Sequence, residues 1–391
     1  MIIPYGRQDI DQKDIEAVTR VLKSEFLTQG PVVPQFERAV ASYCGALRGV
    51  AVNSATSALH LACLALGVGK GDWVWTSPIT FVASANCAIY CGAFVDFVDI
   101  DQKTYNMSAD SLEAKLLAAE KFGTLPKVVI PVHLCGQSCE MDRINVLAKR
   151  FGFFIIEDAS HAIGAKYKDA PVGNCRYSDI TVFSFHPVKI ITTGEGGMAM
   201  TNDAALAGKM ERLRSHGITR DPSEMSGTPD GPWFYQQIDL GFNYRMTDIQ
   251  AALGISQLAK LDQFVAERQR LADVYDRLVP DETAVKPWCH PDAYSSFHLY
   301  VLQLNLAFIK TTQLEVFERL RSNGILVNLH YIPVYRHQYF RSAGHTETNL
   351  PNAEHYYAHA ITLPLFPGLE LEQQREVVKR MTTPIGHQTI F

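Results

Sequence analysis

The 391-residue sequence has no C-x-x-C pair, although it carries eight cysteines, at 44, 63, 87, 91, 135, 139, 175 and 289. Thiols so spaced in a long chain read as reduced, not as a disulfide framework. His133, Cys135 and Cys139 lack a clear fourth ligand, which argues against a metal site. No apolar run approaches the roughly 18 residues that span a bilayer. The start, MIIPYGRQDID, has neither the basic region nor the apolar segment of a secretory signal, so a soluble cytoplasmic protein without a membrane partner is expected. The net charge of −5 is spread along the chain with no stripe of Lys and Arg, which disfavours nucleic acid as a partner. Phosphate motifs are missing too. Gly69-Lys70-Gly71 lacks P-loop spacing, and no G-x-G-x-x-G stands between a strand and a helix.

What is present is an alternation. Short apolar runs at 49–53, 73–76, 94–98, 128–133, 153–157, 180–185 and 197–200 are separated in most cases by helix-length segments such as 57–66, 108–121 and 141–151. Continuous apolar runs between helices predict an α/β domain with a mainly parallel sheet covered on both faces. Residues 11–24 have helical spacing through Ile15, Val18, Val21 and Leu22 and lead into the turn Thr28-Gln29-Gly30-Pro31. Helical stretches at 247–258 and 261–278 then connect to a smaller α+β unit, with strands at 297–304 and 325–330 and helices at 314–322, 354–360 and 370–381. The expected division is 1–245, with a substrate-loop segment over 1–35, then connecting helices over 246–285, then 286–391.

Chemistry in such a sheet gathers where strands end. Three strand ends carry reactive residues. Asn53-Ser54-Ala55-Thr56-Ser57 opens a helix with hydroxyls and free N–H groups, which suits a phosphate and equally an ordinary cap. Glu157-Asp158-Ala159-Ser160-His161 leaves the sheet with two acids and an imidazole, although an acid there is often only a turn residue. In SFHPVKIITTGEGG, 184–197, Pro187 ends a buried run and Lys189 follows before a glycine cluster. Such an amine is either a snorkelling surface lysine or, partly desolvated, a nucleophile toward a carbonyl. One cofactor needs all three features at once. Pyridoxal 5'-phosphate (PLP) takes an anion cradle, a carboxylate against its ring nitrogen and a lysine bonded to its aldehyde, here Ala55-Thr56, Asp158 and Lys189 in chain order.

At these residues, and over nearly the whole chain, the sequence resembles the sugar aminotransferases of the DegT/StrS type, which are fold type I PLP enzymes. The motifs are FLTQGP (26–31), NSATSAL (53–59), SPITFVASAN (77–86), EDASHAIGA (157–165), SFHPVKIITTGEGG, LGFNYRMTDIQAALG (240–254) and HYIP (330–333). The resemblance implies that Lys189 forms the Schiff base and moves the proton, and that Asp158 pairs with the pyridinium nitrogen. It further implies that Phe81 stacks on the ring, that His161 lies beside the phenolic oxygen, and that Ala55, Thr56 and Ser184 hold the phosphate. Asn243 would reach that phosphate from a neighbouring subunit, which implies a homodimer with a shared active site. Tyr5, Phe26, Leu27, Thr28, His330 and Tyr331 would line the sugar pocket, while Tyr331-Ile332-Pro333 also reads as a plain strand end and turn.

Within the family, IPYGRQ, FLTQGP, NSATSAL, RSHGI and SSFHLY are most similar to the pseudaminic acid branch. That likeness implies transfer of an amino group from L-glutamate to C4 of a UDP-linked 4-keto-6-deoxy-N-acetyl hexose, with pyridoxamine phosphate formed on the way. Aminotransferases for GDP-linked (perosamine-type) or dTDP-linked sugars, and a non-catalytic sensor of PLP or sugar, remain alternatives. Dehydratases of this fold carry His where Lys189 stands, which argues against dehydration.

Overall fold

A computed structural model describes residues 2–344 and 349–382; the end of the expected C-terminal unit, 383–391, lies outside them. The core of the molecule is a seven-stranded sheet. In spatial order its strands are Arg48–Val52, Gly197–Thr201, Ile180–Ser184, Phe154–Asp158, Val128–Ile130, Trp73–Thr76 and Phe94–Phe97. Only Gly197–Thr201 runs antiparallel to both of its neighbours; the other pairings are parallel. The central strands are buried on both faces, which is why they read as unbroken apolar runs.

Helices Ala55–Ala65, Ala83–Tyr90 and Ala204–Leu213 bury one face of the sheet around Val50, Val182 and Ala199. Val32–Cys44 covers Ala51, Phe183 and Met198 on the other face, and Met141–Phe151 covers Val129 and Ile155. Leu261–Leu278 is one helix of 18 residues with Leu271, Ala272 and Tyr275 against the C-terminal core. There Ala284–Val285, Tyr300–Leu304 and Ala360–Leu363 make an antiparallel sheet. The chain start belongs with that core, because Ile3–Pro4 pairs with Ile325–Leu326.

The run at 128–133 is a strand only over Val128–Ile130, and two further runs are cut short in the C-terminal part. The run at 297–304 is a strand only over Tyr300–Leu304, because the N–H groups of Ser296 and His298 bond the Gly136 and Cys135 carbonyls instead of a neighbouring strand. The run at 325–330 is a strand only over Ile325–Leu326; Asn328 keeps a single bridge to Thr362 before the chain reaches a cis His330–Tyr331 peptide. Both departures point irregular chain toward the end of the large sheet. Among the described residues, no helix is long and apolar enough to cross a membrane.

Candidate active site

The strands Phe154–Asp158 and Ile180–Ser184 lie side by side and run in the same direction, so Asp158 and Ser184 emerge at one edge. Past Ser184 the chain turns at His186-Pro187, and the Lys189 N–H bonds the His186 carbonyl at 2.9 Å. Thr192 Oγ1 donates to the Phe185 carbonyl at 3.0 Å and Thr193 Oγ1 to the Glu195 carbonyl at 2.7 Å, which folds the TTGEGG segment back into the antiparallel strand. The lysine is thus held on a short, internally bonded loop above the sheet.

It faces a cleft of about 1230 Å³. Ala55, Thr56, Phe81, Asp158, His161, Ser184, Tyr5, His330 and Tyr331 line the same cleft, so ten of the sequence-identified residues meet there, Lys189 included. Burial lowers the Lys189 ammonium to about 8, against the charge of Asp158, which pulls the other way. The amine is partly neutral near physiological pH, as a nucleophile requires.

Asp158 is 5% exposed, and both of its oxygens are engaged by hydroxyls. Oδ1 accepts from Ser160 N at 3.1 Å and Ser160 Oγ at 2.5 Å, and Oδ2 accepts from Ser84 Oγ at 2.6 Å. The neighbouring acid has a different fate. Glu157 points into the interior, where Oε2 meets His133 Nε2 at 2.7 Å and Oε1 accepts from Ser178 and Thr181. The pair of acids in EDAS is one cleft residue and one internal brace.

The helix Ala55–Ala65 begins at the cleft with Ser54 as its cap, Oγ accepting from Ser57 N at 3.1 Å. The N–H groups of Ala55 and Thr56 sit in the first turn, where no carbonyl of their own helix reaches them. A Cβ on Gly197 would stand 2.5 Å from Ala55 N, so the returning strand presses onto this turn only because residue 197 has no side chain. The result is a close-walled N-terminus suited to an anion.

Phe81 is 59% exposed at the lip of the cleft, a ring face without a core to cover it. His161 is buried. The Cys135 N–H donates to its Nδ1 at 3.3 Å, so Nε2 carries the proton and faces Tyr331 Oη at 3.1 Å. Burial, with the charges of Lys189 and His330, holds His161 well below the usual imidazole range. His330 is pushed down to about 3 by burial and by Lys189; its Nδ1 meets Thr362 Oγ1 at 2.9 Å. Both imidazoles are neutral.

Four sequence-identified residues are not brought to this cleft by the chain itself. Phe26 and Leu27 are about half exposed, at 51% and 47%, and Thr28 and Asn243 are exposed too. Thr28 bridges Thr247, and Asn243 bridges Ser215. The sequence reading passed over Ser84, Ser160 and His298, whose ring lies 4.4 Å from that of His161. None of the three left a usable signal: Thr80 and Ser84 are four residues apart, but Thr80 precedes the helix Ala83–Tyr90, so helical spacing does not pair them.

The DegT/DnrJ/EryC1/StrS aminotransferase family model matches residues 8–382. The chain belongs to this family. It is 40% identical over 377 residues to the UDP-4-amino-4,6-dideoxy-N-acetyl-beta-L-altrosamine transaminase of Campylobacter jejuni strain 81-176, covering 96% of each chain. It is 38% identical to the spore coat polysaccharide biosynthesis protein SpsC of Bacillus subtilis, covering 96% of this chain and 97% of that protein. Among solved structures, Helicobacter pylori PseC, an aminotransferase of pseudaminic acid biosynthesis, superposes with a TM-score of 0.88 at 32% identity, covering 97% of this chain and 98% of PseC. Spr1654 of Streptococcus pneumoniae, solved in a PLP-form, superposes with a TM-score of 0.85 at 29% identity, covering 98% of this chain and 100% of its own.

The protein is therefore a sugar aminotransferase of fold type I with PLP as its cofactor. The residues present fit that group. The Gly197 approach walls an anion site, a hydroxyl-fixed carboxylate faces the cleft, and a lysine with a depressed pKa stands between them.

Proposed function

We propose that this aminotransferase moves the amino group of L-glutamate to C4 of a UDP-linked 4-keto-6-deoxy-N-acetyl hexose, releasing 2-oxoglutarate and a UDP-4-amino sugar. The observation that carries the reading is the convergence of Lys189, Asp158 and the Ala55 helix start on one cleft of about 1230 Å³. That volume exceeds the roughly 300–1,000 Å³ of common small-molecule sites, which suits a nucleotide sugar beside a cofactor.

Bound PLP supplies an aldehyde that exchanges amines and a ring that accepts the electrons of a breaking C–H bond. The chain does the rest. Ala55 and Thr56 N–H groups with the Ser184 hydroxyl would hold the phosphate, and Phe81 would cover a ring face. Asp158 holds a proton on the ring nitrogen by placing a negative charge beside it. His161, neutral with its proton on Nε2, donates toward the phenolic oxygen. The Lys189 amine takes the α proton of glutamate and delivers a proton at C4 of the sugar, so that no net proton is gained. Tyr5, His330 and Tyr331, which line the same cleft, would contact the sugar.

The enzyme acts as a dimer in this reading, with Asn243, Phe26, Leu27 and Thr28 serving the neighbouring cleft. Support comes from their exposure and from the apolar segment leading to Asn243, where Trp233 is 72% and Leu240 83% exposed. A second reading, amination of another nucleotide-linked keto sugar, is favoured by the 38% identity to a protein of a different polysaccharide. One experiment separates the two. PLP-loaded protein is given L-glutamate and a panel of UDP-, GDP- and dTDP-linked 4-keto sugars, and 2-oxoglutarate is measured. The UDP-N-acetyl sugar is expected to give the highest kcat/KM; a faster GDP or dTDP sugar overturns the first reading.

A further inference from the structure

The segment that presents Phe81 to the cleft also reaches beneath it. Ser84 is fully buried, and its Oγ lies 2.6 Å from Asp158 Oδ2, which must accept because the carboxylate has no proton to give. Ser84 Oγ also lies 2.8 Å from Thr80 Oγ1. The other acceptor within reach of Ser84 Oγ, the Phe81 carbonyl, is longer at 3.4 Å; with the Ser84 proton directed to Asp158, the Thr80 hydroxyl is the donor of that pair, giving a two-step relay Thr80 to Ser84 to Asp158. Ser160 fills the other oxygen with two bonds, both to Oδ1. Each carboxylate oxygen accepts two hydrogen bonds. Oδ1 is thereby satisfied, and Oδ2 keeps one lone pair for the cleft.

We propose that Ser84 is a positioning residue: the Thr80–Ser84 relay fixes the Asp158 carboxylate so that the open lone pair of Oδ2 meets the cofactor ring nitrogen. The Ser84 N–H also bonds the Phe81 carbonyl at 3.3 Å, so the ring-covering residue and the carboxylate brace are joined through one short stretch of backbone. The bond is charge-assisted and inaccessible to water, so no solvent molecule replaces the hydroxyl when it is removed. The inference rests on the reading above in one respect only, that Asp158 serves the ring nitrogen.

The test is the pH dependence of the cofactor's visible absorbance in the PLP-loaded protein. A ring nitrogen kept protonated by a well-placed Asp158 carries positive charge that repels the proton on the bound nitrogen of Lys189. When the carboxylate is loosely held, that charge weakens and the absorbance midpoint moves to higher pH. Ser84→Ala is expected to raise the midpoint by about half a unit or more and to lower kcat about tenfold. KM for glutamate should change little, and the cofactor-free protein should melt within about 2 °C of the parent. Thr80→Val, which leaves Ser84 in place, should give a smaller shift of the same sign, and Thr80→Ser should restore the parent midpoint. An unmoved or lower midpoint in Ser84→Ala overturns the proposal, as does a shift in Thr80→Ser equal to that in Thr80→Val. Asp158→Ala, titrated alongside, keeps the two readings apart: if it leaves the midpoint unmoved, Asp158 does not serve the ring nitrogen. If it moves the midpoint and Ser84→Ala does not, only the positioning role fails.

Discussion

The residues singled out from the sequence end in two different surroundings. Ten of them, from Tyr5 to Tyr331, close around one cleft within a single chain, on strand ends and a helix start. Phe26, Leu27, Thr28 and Asn243 form a rim that faces outward, yet the loop portion of that rim is firmly mounted. Asp248, fully buried, accepts from the N–H groups of Gly30 at 2.7 Å, Val32 at 2.8 Å and Val33 at 3.0 Å, and its own N–H bonds the Leu27 carbonyl at 3.0 Å. The helix that starts after Pro31 has no side-chain cap of its own, and this distant carboxylate provides one. Gly30 is needed for that approach, since a Cβ there would stand 2.5 Å from the Phe26 Cβ. On the dimer reading, this exposed and firmly mounted loop serves the neighbouring cleft.

Breaking the interior should have the largest effect. Lys189→Ala removes both the nucleophile and the proton carrier, so kcat is expected to fall by about 10³-fold or more, with loss of the visible cofactor band. Breaking the rim should cost less. Asn243→Ala is expected to lower kcat/KM about tenfold. Mixing it with Lys189→Ala chains sharpens the comparison: one site of each mixed dimer then pairs an intact Lys189 with an intact Asn243. Random re-association should recover about a quarter of parental activity. No recovery would mean that Asn243 serves its own chain.

The smallest effect concerns the cofactor-free protein. A partly buried ammonium whose pKa falls to about 8 costs stability wherever the unfolded chain binds the proton more tightly. Lys189→Met should therefore be more stable than the parent at pH 7, by about 1–2 kcal/mol after allowance for partial exposure. The unfolded lysine titrates near 10.4. Between pH 8 and that value the parent gains stability with rising pH, so urea midpoints measured across this window should converge. A constant gap would show that the amine is not desolvated.

The sheet was legible because strands buried on both faces leave apolar runs that no helix pattern disguises. Lys189 was legible because its setting, an apolar run ended by Pro187 and followed by glycines, is wrong for a solvated amine. The cofactor pattern picks Asp158, not Glu157, as the ring carboxylate, and the family resemblance gives it the same role. Spacing does not tell which of two adjacent acids faces the cleft, and the pairing of Glu157 with His133 appears only in three dimensions. Ser84 was hidden for another reason. In a helix of small residues buried against the sheet, a hydroxyl looks like one more small side chain until its acceptor, 74 residues away in sequence, is brought beside it. The strand end at 297–299 was overrun because the His298 and Leu299 N–H groups bond the Cys135 carbonyl outside the ladder, and that at 327–330 because β-rich residues continue there with only the Asn328–Thr362 bridge.

On the proposed reading, the Lys189 amine bonds covalently to the aldehyde of PLP. Borohydride reduction of the loaded enzyme followed by peptide mass mapping reads that bond out. One phosphopyridoxyl group per chain is expected, on the peptide carrying Lys189. A label on any other lysine, or none, would contradict it.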